Sequence, residues 1–295
     1  RSKPRRLRRF EDTVMKVQTV DFTHPQAGQM FVNSLQQTGF ALIKQHPVPQ
    51  TLLQTLYSQW QQFFWGDDKY DFVIDEPVEP DNRGGFIPAD VSETAVGHSV
   101  RDIKEFYHLI PGQQVPPLLE PVSMKYLDLT FQVGQTLLGW LQQYAPKQAI
   151  RGLSEPLDKM LSIDASLLRI LHYPALKGDE EPGAMRAAAH EDVNLMTILP
   201  VSEQPGLQVR DKAGHWHEVA GNVGDLIINS GDMLQEATGG FFPSTSHQVV
   251  NPEKSNDNVP RVSIPYFLTP RLDVRLSAQY TAGEFLAERL VLLNR

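Results

Sequence analysis

Apolar residues recur at helical spacing through the first half of this chain and give way to short alternating runs in the second. Over 24–39, Met30, Phe31 and Leu35 repeat at the spacing of an α-helix, and Gly39 is placed to stop it. FALIK at 40–44 reads as a short buried strand. Leu53, Leu56, Tyr57, Trp60, Phe63 and Phe64 put one apolar stripe on a helix over 49–65, ending at Gly66; such an aromatic stripe is core material. Residues 67–118, rich in Pro, Gly and Asp, predict loops with short strands. A helix is expected over 119–144, then a shorter helical stretch to about 164.

The texture changes at 167. LLRILHY, NLMTILP, GLQVR, HWHEV, GDLIINSG, HQVVN and RVSIPYF are short apolar or alternating runs broken by turn residues, with DKAG at 211–214 placed as a hairpin turn. Many short strands at near-regular spacing indicate a sandwich or barrel. T-A-G-E at 281–284 has the form of a capping box that opens a last helix. The expected class is mainly β with flanking helices. The expected layout is a single domain over 15–295: a helical part at 15–166, a β core at 167–270 and a C-terminal helix at 281–293.

Composition narrows the setting. The chain has 295 residues, 41% hydrophobic and 21% charged, ordinary values for a globular domain large enough to bury a sizeable core. It contains no cysteine, which excludes disulfides, thiolate metal sites and cysteine nucleophiles together. No apolar run approaches the roughly 18 residues of a membrane span. A cytoplasmic protein without membrane contact is the expectation. Residues 1–14 carry six Arg and Lys against two acidic residues, while the rest carries 21 basic and 33 acidic. An Arg-rich head suits nucleic acid or targeting, but the acidic body argues against a nucleic-acid groove. Residues 1–14 are therefore read as a disordered extension or a vector-derived remnant ahead of Met15. A monomer acting on a small molecule is expected.

Chemistry concentrates in the β half. H-E-D at 190–192 is followed by His247 and then by R-V-S at 261–263. Two imidazoles and one carboxylate form the facial triad that holds non-haem Fe(II) while leaving metal positions open. An i, i+2 pair on a strand shares a face, so His190 and Asp192 can meet one metal there. Arg261 and Ser263 have the same spacing and could offer a guanidinium fork and a hydroxyl to one carboxylate. Glu191 should face the other way. His215 and His217 flank Trp216 after the hairpin turn and read as a solvated strand edge; Arg275 and Ser277 repeat the R-x-S pattern outside the strand context and read as an exposed pair.

LRILHYP, RAAAHEDVNLMTILP, PGLQV, NVGDLIINSGDMLQEATGG, STSHQVVNP and PRVSIPYFL follow one another in an order that closely resembles the isopenicillin N synthase-like group of Fe(II)/2-oxoglutarate oxygenases. NRGGF at 82–86 and DIKEFYH at 102–108 resemble its bacterial members. The resemblance runs from about residue 20 onward and implies a double-stranded β-helix, a distorted jelly roll with iron at its open end. It implies His190, Asp192 and His247 as iron ligands, and Arg261 and Ser263 at the far carboxylate of 2-oxoglutarate. Tyr173, before Pro174, matches a tyrosine that assists there, although Leu171 stands where many members have Asn. Arg83 and Phe86 match a glycine-rich loop over the substrate. Arg169 fits either an outer-shell barrel role or a salt bridge.

The implied reaction consumes O2 and splits 2-oxoglutarate into succinate and CO2 while a small organic molecule is hydroxylated, desaturated or ring-closed. Two alternatives stand beside it. One is an oxidase of the isopenicillin N synthase type that uses iron without 2-oxoglutarate. The other is a non-catalytic jelly roll that keeps its metal for structure or sensing.

Overall fold

The computed structural model describes residues 15–74, 84–91, 100–252 and 258–293. The basic head at 1–14 lies outside the described residues, as does Arg83. After a short strand, β1 (Thr19–Asp21), helix α1 (Ala27–Thr38) stops at Gly39. Gly39 has φ of 72° and donates its N–H to the Leu35 carbonyl. A side chain there would be strained, and its Cβ would collide with Thr245 Oγ1 and lie 2.7 Å from the Pro243 carbonyl. The chain can therefore turn at once into β2 (Phe40–Lys44), whose first four residues are buried.

Helix α2 (Gln50–Trp65) buries Leu53, Leu56, Trp60 and Phe64, the stripe expected from its spacing. The loop-rich stretch holds two strands, β3 (Gly85–Ile87) and β4 (Glu105–Leu109). The long α3 (Glu120–Tyr144) and two single-turn helices, α4 (Lys147–Ile150) and α5 (Leu157–Met160), precede β5 (Leu161–Tyr173). This corrects the helical reading to about 164. The first residues of β5 are drawn into the sheet by their partners, Leu161 opposite Pro270 and Ser162 opposite Thr269.

The remaining strands are β6 (Ala187–His190), β7 (Met196–Pro200), β8 (Leu207–Arg210), β9 (Trp216–Glu218), β10 (Leu226–Ser230), β11 (His247–Val249), β12 (Arg261–Ser263) and β13 (Tyr266–Pro270), with α6 (Asp232–Ala237) after β10 and α7 (Ala282–Leu293) closing the chain. One sheet runs β1-β2-β10-β7-β13-β5-β4-β3, with β12 also paired to β5; the other runs β6-β11-β8-β9. The β core is therefore not confined to 167–270: β1 to β4 extend the larger sheet on both sides. Their backbone groups would otherwise be buried without partners.

Two apolar clusters show where the layers lie. The larger joins α1, α2, α3 and α7 to the outer face of the big sheet, through residues such as Phe31, Trp60, Leu137, Tyr266 and Phe285. The smaller fills the space between the sheets, with Phe40, Phe106, Leu171, Tyr173 and Ile227 from one and Ala187, Leu207, Val209 and Val249 from the other. Two sheets closing on one interior, with helices outside, make a jelly roll. No helix among the described residues is long and apolar enough to cross a membrane.

Candidate active site

His190 and His247 are direct cross-strand partners of β6 and β11, so their side chains leave the same face of the small sheet. Their ring centroids are 4.4 Å apart. Nε2 of His190 lies 3.9 Å and Nε2 of His247 3.7 Å from the same oxygen, Asp192 Oδ1. Each imidazole donates its other nitrogen to a backbone carbonyl, His190 Nδ1 to Ala188 at 2.7 Å and His247 Nδ1 to Thr245 at 3.1 Å. A carbonyl can only accept, so Nδ1 carries the hydrogen and Nε2 presents a lone pair. Phe40 sets its ring edge-on to His247 at 5.6 Å.

Strand β6 ends at His190, so Asp192 is not on the strand as its spacing suggested. It sits in the turn that follows, because α6 takes over the backbone there. Asp232 donates its N–H to the Asp192 carbonyl at 2.7 Å and Met233 to Val193 at 3.2 Å. Gly231 permits that approach, since a Cβ on it would strike Asn194 and lie 2.7 Å from the Asp192 carbonyl. The Asp192 side chain is fixed at Oδ2 by Thr197 Oγ1 at 2.5 Å and Asn229 Nδ2 at 2.8 Å, which aims Oδ1 at the imidazoles. Burial pushes the Asp192 carboxyl up, but His247, His190 and the Thr197 and Asn229 hydrogen bonds outweigh it and hold the group below the usual range. Burial, with His247 beside it, pushes the His190 imidazole down to about 4. Both ligating forms, carboxylate and neutral imidazole, are the resident ones near neutrality.

A second polar group lies on the same interior. Arg261 faces Tyr173 and Ser263 faces Leu171 across β12 and β5. Leu171 and Tyr173 belong to the cluster between the sheets, so Arg261 and Ser263 point inward too. Arg261 is buried; Nε donates to Ser263 Oγ at 3.3 Å and a terminal nitrogen to the Pro205 carbonyl at 2.5 Å. Arg261 also lines a cavity of about 180 Å³ with Leu199, Leu207, Val219 and Ile227. Burial pushes the Tyr173 phenol up to about 12, so it is a neutral donor.

Residues 165–270 match the family model of the 2OG-Fe(II) oxygenase superfamily. A protein of Shewanella oneidensis, solved at 2.20 Å and assigned as an oxygenase, is 42% identical, with 95% of this chain and 99% of that one covered and a TM-score of 0.84. The chain belongs to the 2OG-Fe(II) oxygenase superfamily. The curated proline hydroxylase buaE of Petromyces alliaceus is 28% identical over 92% of this chain and 93% of its own. A full-length protein of Neurospora crassa, solved in complex with alpha-KG, shares the fold at 22% identity, with 92% and 95% covered and a TM-score of 0.76.

A 2OG-Fe(II) oxygenase needs iron, 2-oxoglutarate and O2, and the donor set fits the metal. Two lone pairs and one carboxylate oxygen lie within 4.8 Å of one another, and among the described residues no other group of His, Asp and Glu side chains does so. His215 and His217 instead share Asp211 Oδ2, at 3.4 and 2.7 Å, His217 on the edge strand β9 and His215 just ahead of it. Arg275 spends its guanidinium on the Ser277 carbonyl at 3.5 Å, exposed. Glu191 is exposed, and burial, with Asp232 beside it, pushes its carboxyl up.

Phe86 requires a correction. It pairs with Tyr107 across β3 and β4 and lies fully buried in the outer cluster, 5.7 Å edge-on from Tyr70 and 6.2 Å from Phe64. Its neighbours Ile87 and Phe106 face the interior instead. In a short strand the parity is fixed by pairing, and one step places a side chain on the opposite face. Arg169 does face inward. Its guanidinium stacks 4.7 Å from the Phe106 ring and 5.7 Å from Phe267, and Nε donates to His108 Nε2 at 2.9 Å. Sequence reasoning passed over Thr197 and Asn229; the available signal was a polar residue inside each of the apolar runs NLMTILP and GDLIINSG.

Proposed function

We propose that this oxygenase holds Fe(II) through His190, Asp192 and His247, seats the far carboxylate of 2-oxoglutarate at Arg261, Ser263 and Tyr173, and oxidises a small organic molecule. The observation that carries the reading is the pair of Nε2 lone pairs facing one carboxylate oxygen, on the same interior as a buried arginine. Iron bound there would supply the O2-activating chemistry. The chain's own residues would do the rest. Thr197 and Asn229 hold the carboxylate ligand in one rotamer, and the carbonyls of Ala188 and Thr245 hold the imidazoles in the ligating tautomer. Arg261 and Ser263 bind and orient the co-substrate, and Tyr173 adds an uncharged donor that burial keeps protonated. A forked guanidinium matches a carboxylate in geometry as well as charge.

The inward wall of Phe106, Arg169 and Phe267 is the proposed substrate side, and a relative named as a proline hydroxylase supports a small organic substrate. The cysteine-free, acidic composition supports a cytoplasmic protein that does not bind nucleic acid. The test is calorimetric titration of the Mn(II)-substituted protein with 2-oxoglutarate under anaerobic conditions, beside succinate release from the Fe(II) form in air. Binding that requires the metal, with succinate formed, is expected. Oxygen consumption with a true substrate in the absence of any 2-oxoglutarate binding would overturn the co-substrate assignment.

A further inference from the structure

Arg186, one residue before β6, has no task in the chemistry described above, yet it is 2% exposed. Its backbone N–H is held by Asn251 Oδ1 at 3.0 Å, and one terminal guanidinium nitrogen donates to the Val259 carbonyl at 2.6 Å. Its Nε is buried with no hydrogen-bond partner. Val259 is two residues ahead of Arg261, so this bond brings the Arg186 guanidinium to the segment that delivers Arg261 to the interior. Arg261 in turn donates to neutral acceptors, Ser263 Oγ and the Pro205 carbonyl. Among the described residues no carboxylate pairs with either arginine.

The two cations and Tyr173 feel one another. Burial first, then the charge of Arg261, lowers the proton affinity of Arg186, and Tyr173 opposes that shift. After burial, the Tyr173 hydroxyl responds first to Arg261, then to Asp102 in the opposite sense, and then to Arg169 and Arg186. A guanidinium does not give up its proton in proteins, so both remain charged. Two buried cations near each other, one with a bare N–H, are costly unless an anion joins them. The carboxylate nearest Tyr173 is Asp102, which accepts from the Ala188 N–H of β6 at 2.9 Å and is paired with Lys104 at 2.8 Å. It therefore forms no ion pair with Arg186 or Arg261, and the two arginines leave room for a further anion.

We propose that Arg186 joins Arg261 in a two-arginine seat for the far carboxylate of 2-oxoglutarate, and that it sets the preference for a dicarboxylate 2-oxo acid over one ending in a methyl group. This rests on the co-substrate reading above. The rival role is a strut, in which Arg186 only ties the start of β6 to Val259. A strut would affect stability, and through it all ligands alike. A seat would affect the far carboxylate alone.

The experiment is anaerobic calorimetry on the full Mn(II)-substituted chain with 2-oxoglutarate and with 2-oxovalerate, which has a methyl group in place of the far carboxylate. Wild type is expected to favour 2-oxoglutarate. Arg186→Gln should lose about ten- to a hundredfold in 2-oxoglutarate affinity, the worth of one charge-assisted hydrogen bond, and leave 2-oxovalerate affinity unchanged. If Arg186→Gln does not fold, Arg186→Lys carries the test: it keeps the charge and the buried stem but loses the fork, and should lose part of the preference. An unchanged ratio between the two acids in the folded variant overturns the inference while leaving the Arg261 assignment intact. No preference in wild type itself overturns the co-substrate reading beneath it.

Discussion

Asp192 shows how much one carboxylate is asked to do. One oxygen accepts from Thr197 and Asn229, and the other faces both imidazoles. Asp192→Ala removes the only anionic donor of the triad, so iron retained after desalting should fall to background and turnover should vanish. His215→Ala, at a side chain 72% exposed just ahead of the edge strand β9, should change neither. Thr197→Val keeps the shape but removes one of the two hydrogen bonds that fix the Asp192 carboxylate, leaving Asn229 alone to hold it. Orienting partners of this kind are worth about ten- to a hundredfold in metal affinity, which competition against a chromogenic chelator would measure. Equal retention of iron by wild type and Asp192→Ala would refute the ligand set. At the other end, Arg261→Ala should weaken 2-oxoglutarate binding by about ten- to a hundredfold, with Arg261→Lys recovering only part. The ligands were legible because their chemistry is rare and their spacing fits a strand. Thr197 and Asn229 were not, because a hydroxyl or amide in a buried run declares no partner until the strands are paired.

The elements around the site are tied by a buried ionic knot on the outer face of the sheet. Glu105 of β4 accepts from Lys69 at 3.0 Å and faces His172 Nδ1 of β5 at 2.8 Å, while His172 stacks on Phe64 of α2, ring centroids 5.1 Å apart. Burial pushes the Glu105 carboxyl up, but the His172 and Lys69 hydrogen bonds and the Lys69 charge prevail and hold it below its ordinary value of 4.5. A carboxyl depressed by folding contributes stability above its unfolded pKa and loses it as pH falls through the folded value. The knot should therefore be intact at pH 7 and weaken below about pH 4.5. Glu105→Gln should cost up to about 3 kcal/mol at neutral pH and show a shallower loss of thermal stability between neutral and acid pH than wild type. Parallel melting curves across that range check it; identical acid dependence in the two proteins would remove Glu105 from the account. The C-terminal helix was readable in advance. Thr281 and Glu284 form the reciprocal cap, with Glu284 Oε2 accepting from the Thr281 N–H at 2.8 Å and Thr281 Oγ1 from the Glu284 N–H at 3.3 Å. The early start of β5 was hidden, because its first residues become strand only through distant partners in β13.

Across the whole molecule, the residues that match the family model begin at 165, but the sheet does not close there. β2 lies hydrogen-bonded between β1 and β10, and β4 lies between β3 and β5. A fragment beginning at residue 165 would expose the edges of β10 and β5 and strip α3 from the outer face. It should fail to fold, giving no cooperative melt by circular dichroism, whereas the whole chain should melt in one transition. A separately folding fragment would show instead that the N-terminal part is an accessory. The sequence by itself determined the periods: helical stripes before residue 144, alternating runs after 167, the cap at Thr281, and a triad whose donor types suit iron. Those features depend on neighbours within a few positions, where side-chain chemistry and backbone preference act directly. The tertiary structure alone decided which strands pair and which way each side chain faces. Pairing put His190 opposite His247 and Arg261 opposite Tyr173, and sent Phe86 outward and Arg169 inward, while a long-range hydrogen bond tied Arg186 to Val259, two residues ahead of Arg261. A strand's faces are distinguished only by what lies across them, and that is set by contacts dozens of residues away.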